Sequence, residues 1–188
     1  MLAKCFFGEV NMDFDVMELF LSRDNILKHK EYSDTLLCKH SVMEKSIPKI
    51  TGATPAQIYR MRLSYETKIE VLKNLINHLS HITYFNSFSK NDSFCPEIKR
   101  QFLSENDFCY RALEYAKGIN YGFMYVFKDK KGKISFASSC NALAYISFIP
   151  VLAVDVCEHA YFYDYGYEKT EYLKRAIARL NISKLVSE

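Results

Sequence analysis

The stretch that most constrains this chain is Ala153-Val154-Asp155-Val156-Cys157-Glu158-His159-Ala160-Tyr161-Phe162. An apolar, strand-like run from Ile149 to Val154 ends on an aspartate, and a histidine follows four residues later. That spacing can put a carboxylate oxygen and an imidazole nitrogen on one metal ion. Cys157 lies between the two candidate ligands and reads best as a small buried apolar filler.

Composition supplies a fold around that segment. At 188 residues the chain makes one large domain or two small lobes. It is 49% hydrophobic and 15% aromatic, ample for a core, and its four prolines and six glycines argue against disorder. No apolar run reaches the ~18 residues of a membrane span. Met1 to Val10 has neither the basic-then-apolar order of a secretory signal nor the Arg-rich pattern of a mitochondrial presequence, although a cleaved presequence remains compatible with it. A net charge of +3 is too small to point to nucleic acid by itself. The six cysteines, at 5, 38, 95, 109, 140 and 157, contain no Cys-x-x-Cys pair. That argues against a zinc knuckle or redox dithiol and favours a reduced intracellular compartment.

Helical patterns come first along the chain. Ser22 can cap a helix through Ile26, His29 and Ser33, with Asp24 in its first turn. Thr54-Pro55 opens a short helix. The longest helical stretch is expected over Tyr65 to Phe88, with Ile69, Leu72, Ile76 and Leu79 on one buried face. Asn74, Asn77 and His81 mark a second face, continued by Tyr84, Phe85 and Phe88. Pro96 starts a segment ending near Leu103, and Ser104 and Asp107 begin another that Gly118 terminates. From Gly122 the pattern turns strand-like, with a hairpin at Asp129-Lys130-Lys131-Gly132 and a third strand at Pro150 to Val154. Thr170 is expected to cap a last helix carrying Leu173, Ile177 and Leu180. A helical first half followed by a helix-flanked sheet predicts an α+β fold.

The Asp155 segment resembles the C-terminal signature of the iron/manganese superoxide dismutases, Asp-Val-Trp-Glu-His-Ala-Tyr-Tyr, with Cys157 and Phe162 in place of the Trp and the second Tyr. Ser80-His81-Ile82-Thr83-Tyr84-Phe85-Asn86-Ser87-Phe88 is similar to that family's Asn-His-Thr-Phe-Tyr-Trp-Asn-Ser-Met. Leu21-Ser22-Arg23-Asp24-Asn25-Ile26-Leu27-Lys28-His29 is similar to its Ile-Ser-x-Glu-Thr-Leu-x-Tyr-His. Ile98, Phe102 and Ser104 look like its Ile-x-x-x-Phe-Gly-Ser connection, and Gly122-Phe123-Met124-Tyr125 stands where Gly-Trp-Ala-Trp would be. The likeness runs from Leu21 to Val186, without the family's N-terminal Leu-Pro-x-Leu-Pro-Tyr segment.

The resemblance implies an N-terminal helical hairpin lobe over residues 1–90 and a C-terminal lobe over 91–188, with a three-stranded antiparallel sheet flanked by helices. Asn86 to Pro96 would connect them. It implies His29, His81, Asp155 and His159 as ligands of one iron or manganese ion. Three neutral imidazoles and a carboxylate suit such an ion and leave a position open. His78 and His40 are competitors for two of the ligand places. Ser33 and Leu37 stand where the family supplies protons through a His and a Tyr. Phe162 replaces a Tyr that reaches in from the partner subunit. The Gln that bonds metal-bound solvent would fall near Ala142 or Asn77. The chain has no Trp.

Glu158 would pair with the partner's metal-bound His159 in a homo- or hetero-dimer. Lys174, Arg175, Arg179 and Lys184 form a polar helix face that could also meet RNA phosphates. Two functions follow. One is a catalytically weak or inactive structural subunit of a larger ribonucleoprotein assembly, such as the small subunit of the mitochondrial ribosome. The other is an active intracellular iron or manganese superoxide dismutase. The corresponding locations are mitochondrial or cytoplasmic, with no membrane partner.

Overall fold

The structure is a computed structural model that describes residues 10–90, 96–139, 146 and 149–186. Two long antiparallel helices dominate the first half. Helix α1 (Phe14–Met17) leads into α2 (Arg23–Ser46), and the short α3 (Pro55–Arg60) precedes α4 (Tyr65–Asn86). Helix α5 (Pro96–Gln101) and α6 (Glu105–Lys117) bring the chain to strands β1 (Phe123–Lys128) and β2 (Ile134–Ser138). Strand β3 (Leu152–Asp155), helix α7 (Glu158–Tyr165) and helix α8 (Lys169–Ile177) follow. The fold is α+β, with eight α-helices and one three-stranded antiparallel sheet of order β2-β1-β3 among the described residues.

The helix starts follow the sequence. Ser22 accepts the Asn25 N–H at 3.3 Å, Ser64 the Thr67 N–H at 3.2 Å and Ser104 the Asp107 N–H at 3.1 Å. Thr54 and Gln57 form a capping box ahead of Pro55. Central β1 is buried from Phe123 to Phe127, as a strand with neighbours on both edges and helices over its faces should be. Phe123 lies opposite Asp155 in the antiparallel register, so the start of β1 and the end of β3 meet at the site. Gly122, just before β1, has φ 96°, and a Cβ there would come within 2.1 Å of the Ser139 hydroxyl oxygen. Only glycine serves at that corner.

Two apolar clusters form. One joins Val16 to Ile26, Tyr84, Phe85 and Phe88 with the sheet and the later helices. The other fills the helical hairpin with Ile50, Ile58, Val71, Leu72, Leu75, Ile76, Leu79 and Ile82. Burying each such side chain contributes about 1.5–3 kcal/mol.

Three expectations need correction. Helix α2, at 24 residues, is longer than α4, at 22. Its apolar pattern fades because the buried stripe continues through Ser33 and His40 rather than through aliphatic residues. Ile69 is 46% exposed, since the buried part of α4 begins at Val71. Thr170 lies inside α8, whose cap is Glu168. The Glu168 carbonyl already takes the N–H groups of Glu171 and Tyr172 at 3.1 and 3.2 Å.

Candidate metal centre

Four elements deliver four side chains to one point. His29 comes from α2, His81 from α4, Asp155 from the end of β3 and His159 from the first turn of α7. One ligand atom from each lies within 4.8 Å of all the others. Asp155 Oδ2 is the focus, 3.1 Å from His29 Nε2, 3.0 Å from His159 Nε2 and 3.6 Å from His81 Nε2. His81 Nε2 and His159 Nε2 are 3.4 Å apart. Three side chains are shielded, at 0% exposure for His29 and Asp155 and 2% for His81, whereas His159 is 36% exposed.

Local hydrogen bonds fix these groups. The Asp155 Oδ1 atom accepts the Cys157 N–H at 2.8 Å, leaving Oδ2 for the histidines. Tyr172 donates its hydroxyl to the Asp155 carbonyl at 2.9 Å. His81 Nδ1 donates to the Asn77 carbonyl at 2.6 Å, so a neutral His81 has a bare Nε2 lone pair facing the carboxylate. The start of α2 is tied to α7. Asp164 Oδ2 accepts the Ser22 N–H at 2.8 Å and the Asn25 amide at 2.9 Å, and Asn25 also reaches the Ala160 carbonyl at 3.2 Å. That clamp brings His29 against His159, whose ring centres are 4.9 Å apart. The walls are aromatic: Tyr84 and Phe85 lie 4.9 and 5.2 Å from His29, and Phe123 lies 5.0 Å from His81.

Electrostatics follow from burial. Desolvation lowers the pKa of His29 and takes His81 down to about 4, against the pull of the Asp155 charge. His159 goes the other way. Burial opposes its charge, but the hydrogen bond and charge of Asp155 prevail. Burial alone would raise the Asp155 carboxyl, yet hydrogen bonds from His159 and His29 hold it well below the usual carboxylate range.

A cation fits this donor set. With bonds of about 2.0–2.2 Å, ligands of a single ion lie ~3.0 Å apart at right angles and ~3.4 Å apart at tetrahedral angles. The four contacts of 3.0–3.6 Å fall in that interval or just beyond it, while the full set spans up to 4.8 Å, so binding an ion would draw the remaining pairs together. A bare imidazole lone pair directed at a carboxylate oxygen is repulsive unless a proton or a positive ion intervenes. Within the cluster, His29 Nδ1 is buried and has no partner among the described residues.

The other residues singled out in the sequence lie around this cluster or away from it. Ser33 is spent on His78, whose Nδ1 lies 3.3 Å from the Ser33 hydroxyl and donates to its carbonyl at 3.2 Å. Leu37 is half-buried. Phe162 is 46% exposed and packs on Tyr167. Ala142 lies outside the described residues. The Cys157 sulfur turns away to Gly122, accepting its N–H at 2.9 Å, and burial pushes the thiol up to about 12. The residue is half-buried and its sulfur takes a backbone N–H, so it is not the buried apolar filler expected from the sequence. Arg175 is paired with Glu171 at 2.7 Å, and the Lys184 amine is bonded to the Asn86 carbonyl. Tyr32, Asn25, Asp164 and Tyr172 were not singled out. Only Tyr32 carries a sequence signal, its place one helical turn after His29.

The family defined by this fold and centre is the one that the sequence resembles. The model described as iron/manganese superoxide dismutases, C-terminal domain, matches residues 90–187. The chain belongs to the iron/manganese superoxide dismutase family. It is 23% identical over 171 residues to superoxide dismutase [Mn] of Acinetobacter baylyi, covering 84% of this chain and 72% of that protein. It is 30% identical over 120 residues to superoxide dismutase [Fe] of Escherichia coli K12, covering 59% of this chain and 62% of that protein. For superoxide dismutase [Fe] of Campylobacter jejuni strain 81-176 the figures are 32% over 89 residues, with 45% and 40% covered. The matches to these two [Fe] relatives thus span less than two thirds of their length.

Proposed function

We propose that His29, His81, Asp155 and His159 hold one iron or manganese ion and that the chain is a superoxide dismutase with slow turnover. The convergence of three imidazole nitrogens on one oxygen of Asp155 carries this reading. When bound, an ion of this kind supplies the one-electron oxidation and reduction that superoxide dismutation needs. The chain's own contribution is positional. Asp155 stays anionic, Tyr172 and the Cys157 N–H orient it, and the Asn77 carbonyl keeps the His81 Nε2 lone pair free for a ligand bond. The aromatic walls exclude water from three of the four ligands.

Proton delivery is the weak point of this site. Peroxide formation needs two protons, yet Ser33 is engaged with His78, and neither Leu37 nor Phe162 can transfer one. A missing general acid costs about 10²–10⁴-fold. Protein loaded with iron or manganese and assayed by pulse radiolysis should turn over that far below the diffusional ceiling. Turnover near that ceiling would contradict the reading.

The same three positions favour a second reading, in which the fold serves as a non-catalytic subunit of a larger assembly, of which a mitochondrial ribosomal subunit is one example. We further propose two-fold pairing through Glu158 and His159, which are exposed together at the start of α7 beside exposed Phe162 and Tyr163. The free thiols of Cys38, Cys109 and Cys157 suit a reducing setting, mitochondrial or cytoplasmic. No helix among the described residues is long and apolar enough to cross a membrane.

A further inference from the structure

The four clustered side chains are held in different ways. Asp155 is held by the Cys157 N–H and the Tyr172 hydroxyl, and His81 by the Asn77 carbonyl. A ligand histidine ordinarily has its second nitrogen fixed in that way. His29 departs from this, because its Nδ1 is buried and has no partner among the described residues. The seat of its helix then decides where its ring stands. Asn25 precedes His29 by four residues, so it lies one turn earlier on the same face of α2. Asn25 is 2% exposed, and both protons of its amide are spent on α7. One goes to the carbonyl of Ala160, the neighbour of His159, at 3.2 Å. The other goes to Asp164 Oδ2, one turn further along α7, at 2.9 Å. The same oxygen accepts the Ser22 N–H at 2.8 Å.

We propose that Asn25 is the positioning residue of the four-residue cluster: its amide ties the His29 turn of α2 to the His159 turn of α7 and so sets the separation of two ligands from opposite halves of the chain. Its effect on metal affinity rests on the metal-site reading, whereas the tie itself stands on geometry. An amide suits the place because it gives two protons from one nitrogen to two acceptors on the same helix. Aspartate at position 25 would have no proton to give and would face the Asp164 carboxylate, so Asn25→Asp breaks the tie and adds repulsion across it. Combining Asn25→Asp with Asp164→Asn moves the donor to α7 and restores the bond between the two side chains.

The test uses two readouts on the full chain. Cobalt(II) titrated into chelator-treated protein against a competing chelator, followed by visible absorption, gives an affinity and a spectrum. Asn25→Ala should weaken binding about tenfold, the lower end of what the outer contacts of a metal ligand contribute, and shift the bands towards those of His29→Ala. Asn25→Asp should bind more weakly still, and the Asn25→Asp/Asp164→Asn pair should recover part of the loss. Leu75→Ala loosens the hairpin core without touching the tie and should bind as the wild type does. Tyr165 still donates to the Phe20 carbonyl in Asn25→Ala, which keeps α7 docked. Asp164→Ala, at an exposed position, gives the same reading if the Asn25 variant does not fold. Unchanged affinity and spectrum in Asn25→Ala and Asp164→Ala overturn the proposal. So does an equal loss in Leu75→Ala, which would mean general loosening, or a double variant no better than Asn25→Asp alone. Hydrogen exchange of the metal-free chain supplies the second readout. It should be about tenfold faster over residues 22–30 and 158–165 in Asn25→Ala and unchanged over 65–86. An unchanged rate there overturns the tie. A wild type that binds no cobalt contradicts the metal reading, while the exchange rates still decide the tie.

Discussion

Helices α2 and α4 each carry two buried histidines, and only one pair joins the candidate metal cluster. Counted over the whole residue, all four are at most 5% exposed. Burial lowers the pKa of all four. The first pair meets Asp155 and His159 at the end of the sheet. The second sits in the helical hairpin, where His78 donates to the Ser33 carbonyl and His40 has no hydrogen-bond partner for either nitrogen among the described residues. The carboxylate nearest His40, Glu44, is 3.7 Å from its Nε2 and already accepts the Gly52 N–H at 3.1 Å. Burial makes a neutral imidazole, whereas a ligand needs a converging anion as well.

The sharpest break of this contrast is a pair of alanine variants one turn apart on α4. His81→Ala should abolish the cobalt(II) absorption of a titrated sample, and His78→Ala should leave its stoichiometry unchanged. Loss in both would mean that the hairpin pair also carries the metal. Core variants come next. Phe85→Ala, at the wall of the centre, should cost about 3–5 kcal/mol in urea unfolding and also weaken metal uptake. Leu75→Ala, in the hairpin cluster, should cost about 2–5 kcal/mol with uptake intact. Tyr172→Phe leaves the buried Asp155 carbonyl without its hydroxyl donor and should cost about 1–3 kcal/mol.

The smallest effect is one of pH. His40 has an unfolded value of 6.5 and a lower one when folded, so below 6.5 the unfolded chain binds more protons. Its contribution is present above pH 6.5 and lost as the pH falls through the folded value. His40→Leu should flatten that acid-side loss in thermal melts between pH 7 and 5. A melt profile identical to wild type would show that His40 is not buried neutral in solution.

Much of the centre was legible because its parts are local. A strand end and the first turn of the next helix fix Asp155 and His159 within five residues. Ser22 and Ser104 announce helix starts by their own side chains. His81 could be told from His78 by its helix face, but choosing His29 over His40 needed the resemblance, because helical spacing marks a face and not what covers it. Ile69 misled for the same reason. The clamp of Ser22 and Asn25 on Asp164, and the Tyr172 bond to Asp155, join residues that neither periodicity nor spacing relates.

The account stands on one claim, that these four side chains hold one iron or manganese ion. Elemental analysis of the purified full chain, wild type beside Asp155→Asn and His40→Leu, tests it directly. The account predicts about one iron or manganese per chain in the wild type and in His40→Leu, and none in Asp155→Asn, whose neutral amide cannot replace the carboxylate. A wild type without metal, or an Asp155→Asn variant that keeps it, would contradict the claim.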